Sequence, residues 1–210
     1  MVDTIALLEQ CAPQVAPALM GALVRRESAW RPLAIGMDGE QEPVRQPRTL
    51  TEAVEQARSL SSKGRGFSVG LAQIHVSNVT RHGLTWEQAF DPCLNLRSGQ
   101  QILLDFHRRA RVAGYAGPQA VHAALRGYNA GDIDRRAADV YARRILQAAA
   151  DPSSRPAVNM DKATDLARAP GSDLAQRAKD VRLGAGASMA AAPADEAREI
   201  FAKEPAVRGF

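Results

Sequence analysis

MGALVRRESAW, residues 20–30, is the stretch from which the rest of the chain is read. Met20, Leu23, Val24 and Glu27 fall at i, i+3, i+4 and i+7, so a helical period puts the glutamate on the same face as the apolar residues. The carboxyl is thereby turned toward apolar surroundings. Burial disfavours the charged form and raises a carboxyl pKa, and a proton retained near neutral pH is what a general acid requires. The plainer alternative is that Glu27, close to the helix end, reaches water or pairs with Arg25, Arg26 or Arg31.

Outward from this helix, the apolar spacing and turn residues predict helices near 3–11, 17–29, 51–62, 85–90, 94–113, 118–127 and 135–149. Thr85-x-x-Gln88 has the form of a capping box, and Pro17 and Pro118 suit first-turn positions. Between Gly64 and Ile74, alternation of Phe67, Val69 and Leu71 predicts a short strand or hairpin, and the Gly- and Pro-rich stretch from Arg31 to Arg48 is a second such candidate. The fold class expected is α+β and mainly helical.

Composition bounds the rest. The chain has 210 residues, 45% hydrophobic and 24% charged, which excludes a wholly disordered or fibrous protein. No run approaches 18 consecutive apolar residues, so no membrane span is expected. Lys and Arg number 27 against 23 Asp and Glu, a net charge of +4 that is too mild to select an anionic partner. Residues 1–150 carry 18 basic and 14 acidic side chains, and residues 151–210 carry nine of each. Leu, Ile, Val and Phe fill only 9 of the last 60 positions, while Ala fills 15. Such a segment buries too little apolar surface to offset its ordering entropy, so 151–210 is expected to be a mostly disordered tail with one short helix near 195–203. The boundary falls at Asp151-Pro152-Ser153-Ser154-Arg155-Pro156, where two prolines stop the preceding helix.

Four blocks carry a resemblance: VRRESAW (24–30), GLAQI (70–74), DPCLNLRSGQQIL (91–103) and GYNAG (127–131). In this order and spacing the chain resembles the lytic transglycosylases related to soluble lytic transglycosylase, and within them the VirB1-like proteins of type IV secretion. The resemblance covers residues 5–147. It implies a lysozyme-like domain over 1–150, with Glu27 at the end of a helix lining a cleft for the glycan strands of peptidoglycan. It also implies that Glu27 is the sole acid and base, protonating the glycosidic oxygen between N-acetylmuramic acid and N-acetylglucosamine and then accepting the proton of the muramoyl C6 hydroxyl. The product is a 1,6-anhydro sugar. Ordinary glycosidases use two carboxylates, roughly 5–5.5 or 6.5–9.5 Å apart, and an internal nucleophile removes the need for the second. Asp38, Glu40 and Glu42 are the nearest downstream acids; should one face Glu27, the alternative is a water-using muramidase. A wall-binding protein without catalysis is a third reading.

By the same resemblance, Ser28 stands beside the acid as a substrate-side hydroxyl, or else bonds its own helix backbone. Gly70 and Leu71 would shape the cleft floor, and Gln73 would bond sugar, since an amide offers both donor and acceptor. Tyr128 would stand near the scissile bond, Asn129 would contact sugar or fix the turn, and Gly131 would end the helix; a plain C-cap with Tyr128 in the core is the bland reading of that block. Tyr141 would orient the glutamate or pack in the core. Asn95 would cap the helix that follows it. Ala72 and His75 depart from the family pattern, where Met and Asn are frequent, and loss of the Met side chain is expected to widen one sugar subsite. Tyr115, Trp30 and Trp86 are candidates for stacking on sugar, with packing preferred for the tryptophans.

The resemblance further implies a Cys11–Cys93 disulfide, against two buried free cysteines. His75, His82, His107 and His122 are scattered without metal-ligand spacing, so neither metal nor cofactor is expected. A disulfide and a wall substrate imply the periplasm, although Met1-Val2-Asp3-Thr4 does not open a secretory signal. The partners implied are glycan strands and, through the tail, secretion-system components; a tail with no partner is the alternative. A monomer is expected. The pairs Arg25-Arg26, Arg108-Arg109, Arg135-Arg136 and Arg143-Arg144 read as solvated helix faces and not as a nucleic-acid surface.

Overall fold

Asp3 opens α1 (Thr4–Cys11) by accepting the Ile5 N–H. The structure, a computed structural model, describes residues 3–39 and 43–151. The expected tail beyond Asp151, with its short helix, lies outside the described residues, as do Glu40 and Glu42.

Helix α2 (Pro17–Ser28) begins with proline in its first turn and buries Leu19, Met20, Leu23 and Val24, the stripe expected from the sequence. It ends where Ala29 and Trp30 both adopt left-handed φ, +51° and +63°. Such residues cost about 1–3 kcal/mol each and persist only where packing fixes them; Trp30, 3% exposed, is anchored in the core. The chain then forms β1 (Ile35–Met37), α3 (Leu50–Ser62), β2 (Phe67–Val69), β3 (Ile74–His75), α4 (Val76–Arg81), α5 (Trp86–Phe90), α6 (Pro92–Val112), α7 (Gly117–Ala130) and, after a 3₁₀ turn at Arg136–Ala138, α8 (Asp139–Ala150). This is a mainly helical α+β fold. The capping box at Thr85 and Gln88 is present in full.

The three strands form one antiparallel sheet in the order β1-β2-β3. Ile35, Val69 and Ile74 are in register across it and buried; Gly36, Ser68 and His75 form the next row and line a cleft. Strand alternation thus divides the sheet into a core face and a cleft face. One core joins the buried face of α2 to the sheet, to α6 and α7, and to Ile145 of α8. The Cys11–Cys93 disulfide fastens the end of α1 to the first turn of α6 across 82 residues of sequence. In the loop-entropy model, so long a closure stabilises by roughly 4–5 kcal/mol.

Asn95 differs from its expected role. It does not cap a helix; Asp91 does, accepting the Leu94 N–H, and Asn95 lies inside α6 with no exposed surface. Its Oδ1 accepts the Ala72 N–H at 2.7 Å, and its Nδ2 donates to the carbonyls of Val69 (3.0 Å) and Ala89 (2.8 Å). One amide therefore ties the β2–β3 turn to α5 and α6. Gly70 makes room for it, because a Cβ there would fall 2.1 Å from Asn95 Nδ2 and the backbone has φ +81°.

Candidate active site

Glu27 reaches the cleft from the last turn of α2, half-buried, and the Tyr141 hydroxyl on α8 donates to its Oε1. Burial pushes the Glu27 carboxyl above its ordinary value, opposed by the Tyr141 hydrogen bond and the Arg26 charge. Arg31, one of the alternative partners, instead donates to the Ser28 carbonyl. Tyr141 is itself buried, and burial together with the Glu27 charge holds its hydroxyl well above the ordinary phenol range, so it remains a donor. The same two causes act on Tyr128.

Tyr128 lies in the last turn of α7 and donates to the Ala72 carbonyl at 2.7 Å, which joins α7 to the β2–β3 turn. Gly131 closes that helix in the left-handed conformation, donating to Gly127 O. Asn129 lines the cleft beside Tyr128. The C-cap and the cleft-lining roles coincide, since the helix runs three residues past its expected end and carries both side chains to the opening.

Gln73 lines the cleft with φ +48°. Its amide nitrogen is committed to the carbonyls of Ala34 (3.2 Å) and Gly70 (2.9 Å). A Cβ on Gly36 would meet its Oε1 at 2.5 Å, so the glycine leaves the space that the amide oxygen occupies over the sheet. Gly70 and Leu71 lie beneath this layer; Leu71 has no exposed surface, and neither lines the cleft. They support Gln73 from below and do not themselves form the floor.

The structure places Ser28 and Tyr115 away from the cleft, and the two tryptophans pack as expected. Ser28, 1% exposed, donates its hydroxyl to the Val24 carbonyl and does not line the cleft, so its backbone-bonding reading holds in place of substrate contact. Ala72 is fully buried and does not line the cleft, and its Cβ would lie 2.6 Å from one added at Gly99 on α6. Trp30 packs in the core, and Trp86 stacks on Phe67 with ring centroids 5.6 Å apart. Tyr115 is outside the cleft, its hydroxyl donating to Asp134 with the Arg126 guanidinium over its ring.

His75, unassigned from sequence, caps α4 by accepting the Ser77 N–H at Nδ1. That acceptor role leaves the proton on Nε2, which donates to Asp38 Oδ2 at 2.9 Å. The carboxylate crosses above Gly66, where a Cβ would lie 2.3 Å from Asp38 Oδ2. Asp38 and His75 both line the cleft that holds Glu27. The sequence signal for this pair was slight: a histidine two residues before a serine at the start of a helix too short and too rich in β-branched residues to show a helical period. Among the described residues, no group of His, Cys, Asp and Glu could hold a metal ion, and no helix is long and apolar enough to cross a membrane.

A half-buried glutamate, a tyrosine and a glutamine over a small sheet are thus brought to one cleft by blocks that lie far apart in sequence, with Tyr141 holding the glutamate from behind. Residues 6–146 match the family described as the transglycosylase SLT domain. The chain belongs to that family. This lytic transglycosylase accordingly has the family's lysozyme-like fold. It is 42% identical over 164 residues to the type IV secretion system protein virB1 of Brucella abortus, covering 75% of this chain and 68% of that protein. To the corresponding protein of Brucella suis it is 42% identical over 162 residues, covering 74% and 67%. To the protein virB1 of Agrobacterium fabrum it is 30% identical over 146 residues, covering 67% and 56%. No solved structure matches the chain with significance.

Proposed function

We propose that this transglycosylase cleaves the β-1,4 bond between N-acetylmuramic acid and N-acetylglucosamine in peptidoglycan, with Glu27 as the only acid and base. The observation that carries the reading is the Glu27 carboxyl itself, raised in pKa by burial and held at Oε1 by Tyr141. Tyr141 occupies one carboxyl oxygen, so the other is available to the cleft. The protonated carboxyl donates to the glycosidic oxygen as the bond to the muramoyl C1 breaks. The C6 hydroxyl oxygen of the same sugar then bonds to C1, and its proton passes to the Glu27 carboxylate. The enzyme returns to its starting protonation state, and no water is consumed. The hydroxyls of Tyr141 and Tyr128, kept protonated by burial, supply fixed dipoles beside the carboxyl while its charge appears and disappears.

The virB1 likeness supports a role in opening the wall locally for an envelope-spanning secretion or conjugation machine, and hence action in the periplasm. Residues 1–150 act as the catalytic domain and 151–210 as an appendage that contacts that machine.

One observation favours a second reading: Asp38 lines the same cleft and is oriented by His75, as a carboxylate that activates water would need to be. Digestion of purified peptidoglycan in ¹⁸O-labelled water separates the two. Anhydro-muropeptides without label are expected, whereas reducing ends carrying ¹⁸O would replace the transglycosylase chemistry with hydrolysis.

A further inference from the structure

The cleft has a third wall that the chemistry above does not use. On α6, Ile102, Asp105, Phe106 and Arg109 fall at i, i+3, i+4 and i+7 and face the cleft together; Asn78 and Arg81 of α4, with His82 at its C-cap, line the cleft as well. The anionic groups of the cleft are already engaged. Asp105 accepts from Arg108, Asp38 from His75, and Glu27 from Tyr141. Arg81 and Arg109, both exposed, have no ion pair among the described residues.

Arg109 is also held in place. Its guanidinium lies 5.1 Å from the centroid of the Phe106 ring. That ring is seated directly on α7, where a Cβ at Gly127 would meet Phe106 Cδ1 at 2.3 Å. A stacked guanidinium keeps its planar fork of donors free for a planar anion.

We propose that Arg81 and Arg109 form a subsite for the free carboxylates of the peptide stems borne by muramoyl sugars. The inference rests on the peptidoglycan reading and adds to it a preference for stem-bearing strands. A glycan lying across Glu27 projects its stems toward the cleft walls. The sheet wall presents Gly36, Ser68 and a His75–Asp38 pair whose carboxylate would repel them, and the α4–α6 wall presents the two cations.

The test is binding, measured by calorimetry on the full chain carrying Glu27→Gln so that nothing is turned over. Three probes are compared: a GlcNAc–MurNAc tetrasaccharide with peptide stems, the same compound with its stem carboxylates amidated, and the same sugar without stems. The stem-bearing probe is expected to bind about tenfold tighter than the other two at low salt, with the ratio shrinking as salt is added. Arg81→Gln and Arg109→Gln should each lose part of that ratio and the pair all of it, while Arg58→Gln, which removes an arginine paired with Glu87 outside the cleft, should keep it. Equal affinity for all three probes, or a ratio that survives the paired substitution, overturns the subsite alone. A ratio retained on amidation shows that the peptide and not its charge is read, and likewise overturns it. No binding of any probe overturns the subsite together with the peptidoglycan reading.

Discussion

On the helical side of the cleft, Glu27, Tyr141 and Tyr128 are withdrawn from water and joined to protein partners, whereas on the sheet side Gly36, Ser68 and His75 stand in register as small or polar groups open to the cleft. The first arrangement controls protonation, because burial raises the acid and keeps both phenols as donors. The second controls shape, because two glycines and a serine leave a flat floor on which Gln73 and Asp38 lie. In the function proposed above, chemistry and fit are thus carried by different secondary structure, and the Ala72 turn, bonded by Tyr128 from α7 and by Asn95 from α6, joins the two.

Cutting that joint should have the largest effect on the fold. Asn95→Ala strips partners from three buried backbone groups and is expected to destabilise by about 3–5 kcal/mol in urea unfolding. A loss below about 1 kcal/mol would mean that the turn holds its shape without the amide.

Next in size is Tyr141→Phe, expected to lower turnover about tenfold with little change in KM. The lost hydrogen bond is one that lowers the Glu27 pKa, so the carboxyl should stay protonated to higher pH and the alkaline limb of the pH–rate profile should move upward. A downward shift would contradict the reading of the Tyr141 hydrogen bond as one that lowers the Glu27 pKa. On the sheet side, His75→Ala should cost about 1 kcal/mol through the lost helix cap and should raise KM several-fold with kcat nearly kept. If kcat fell as far as in Tyr141→Phe, the division between the two sides would fail.

A smaller effect concerns stability against pH. Folding raises the Glu27 pKa above its unfolded value near 4.5, so the stability it contributes is present below that value and lost as pH rises through the folded pKa. Glu27→Gln removes this dependence and should therefore become progressively more stable relative to the parent as pH increases above about 4.5. Parallel stability curves would show that the carboxyl titrates alike in both states.

The helical side was the more legible in sequence. The stripe of Met20, Leu23 and Val24 reports which way α2 faces, and Glu27 stands out because it breaks the polarity of that stripe. Tyr141 could be placed on a helix, but whether its hydroxyl met the acid depended on how α8 packs against α2, which no local pattern encodes. The sheet side was harder for a physical reason. Its strands are two or three residues long, so alternation has little room to appear, and α4 offers no apolar period. Gln73 illustrates the limit. A glutamine in a Gly-Leu-x-Gln run reads as a sugar ligand, yet its amide nitrogen is spent on the Gly70 carbonyl of its own turn and on the Ala34 carbonyl before β1. Asn95 and Ser28 show the same tendency, since a short polar side chain next to a site is often needed to satisfy buried backbone.

The central claim is that one carboxylate performs the chemistry, and the direct test is to compare turnover of purified peptidoglycan by Glu27→Gln and Asp38→Asn under identical conditions. Glu27→Gln is expected to fall by about 10³-fold or more while remaining folded, and Asp38→Asn by less than about tenfold. Comparable losses in the two variants would contradict the single-carboxylate account and make Asp38 a partner in the reaction.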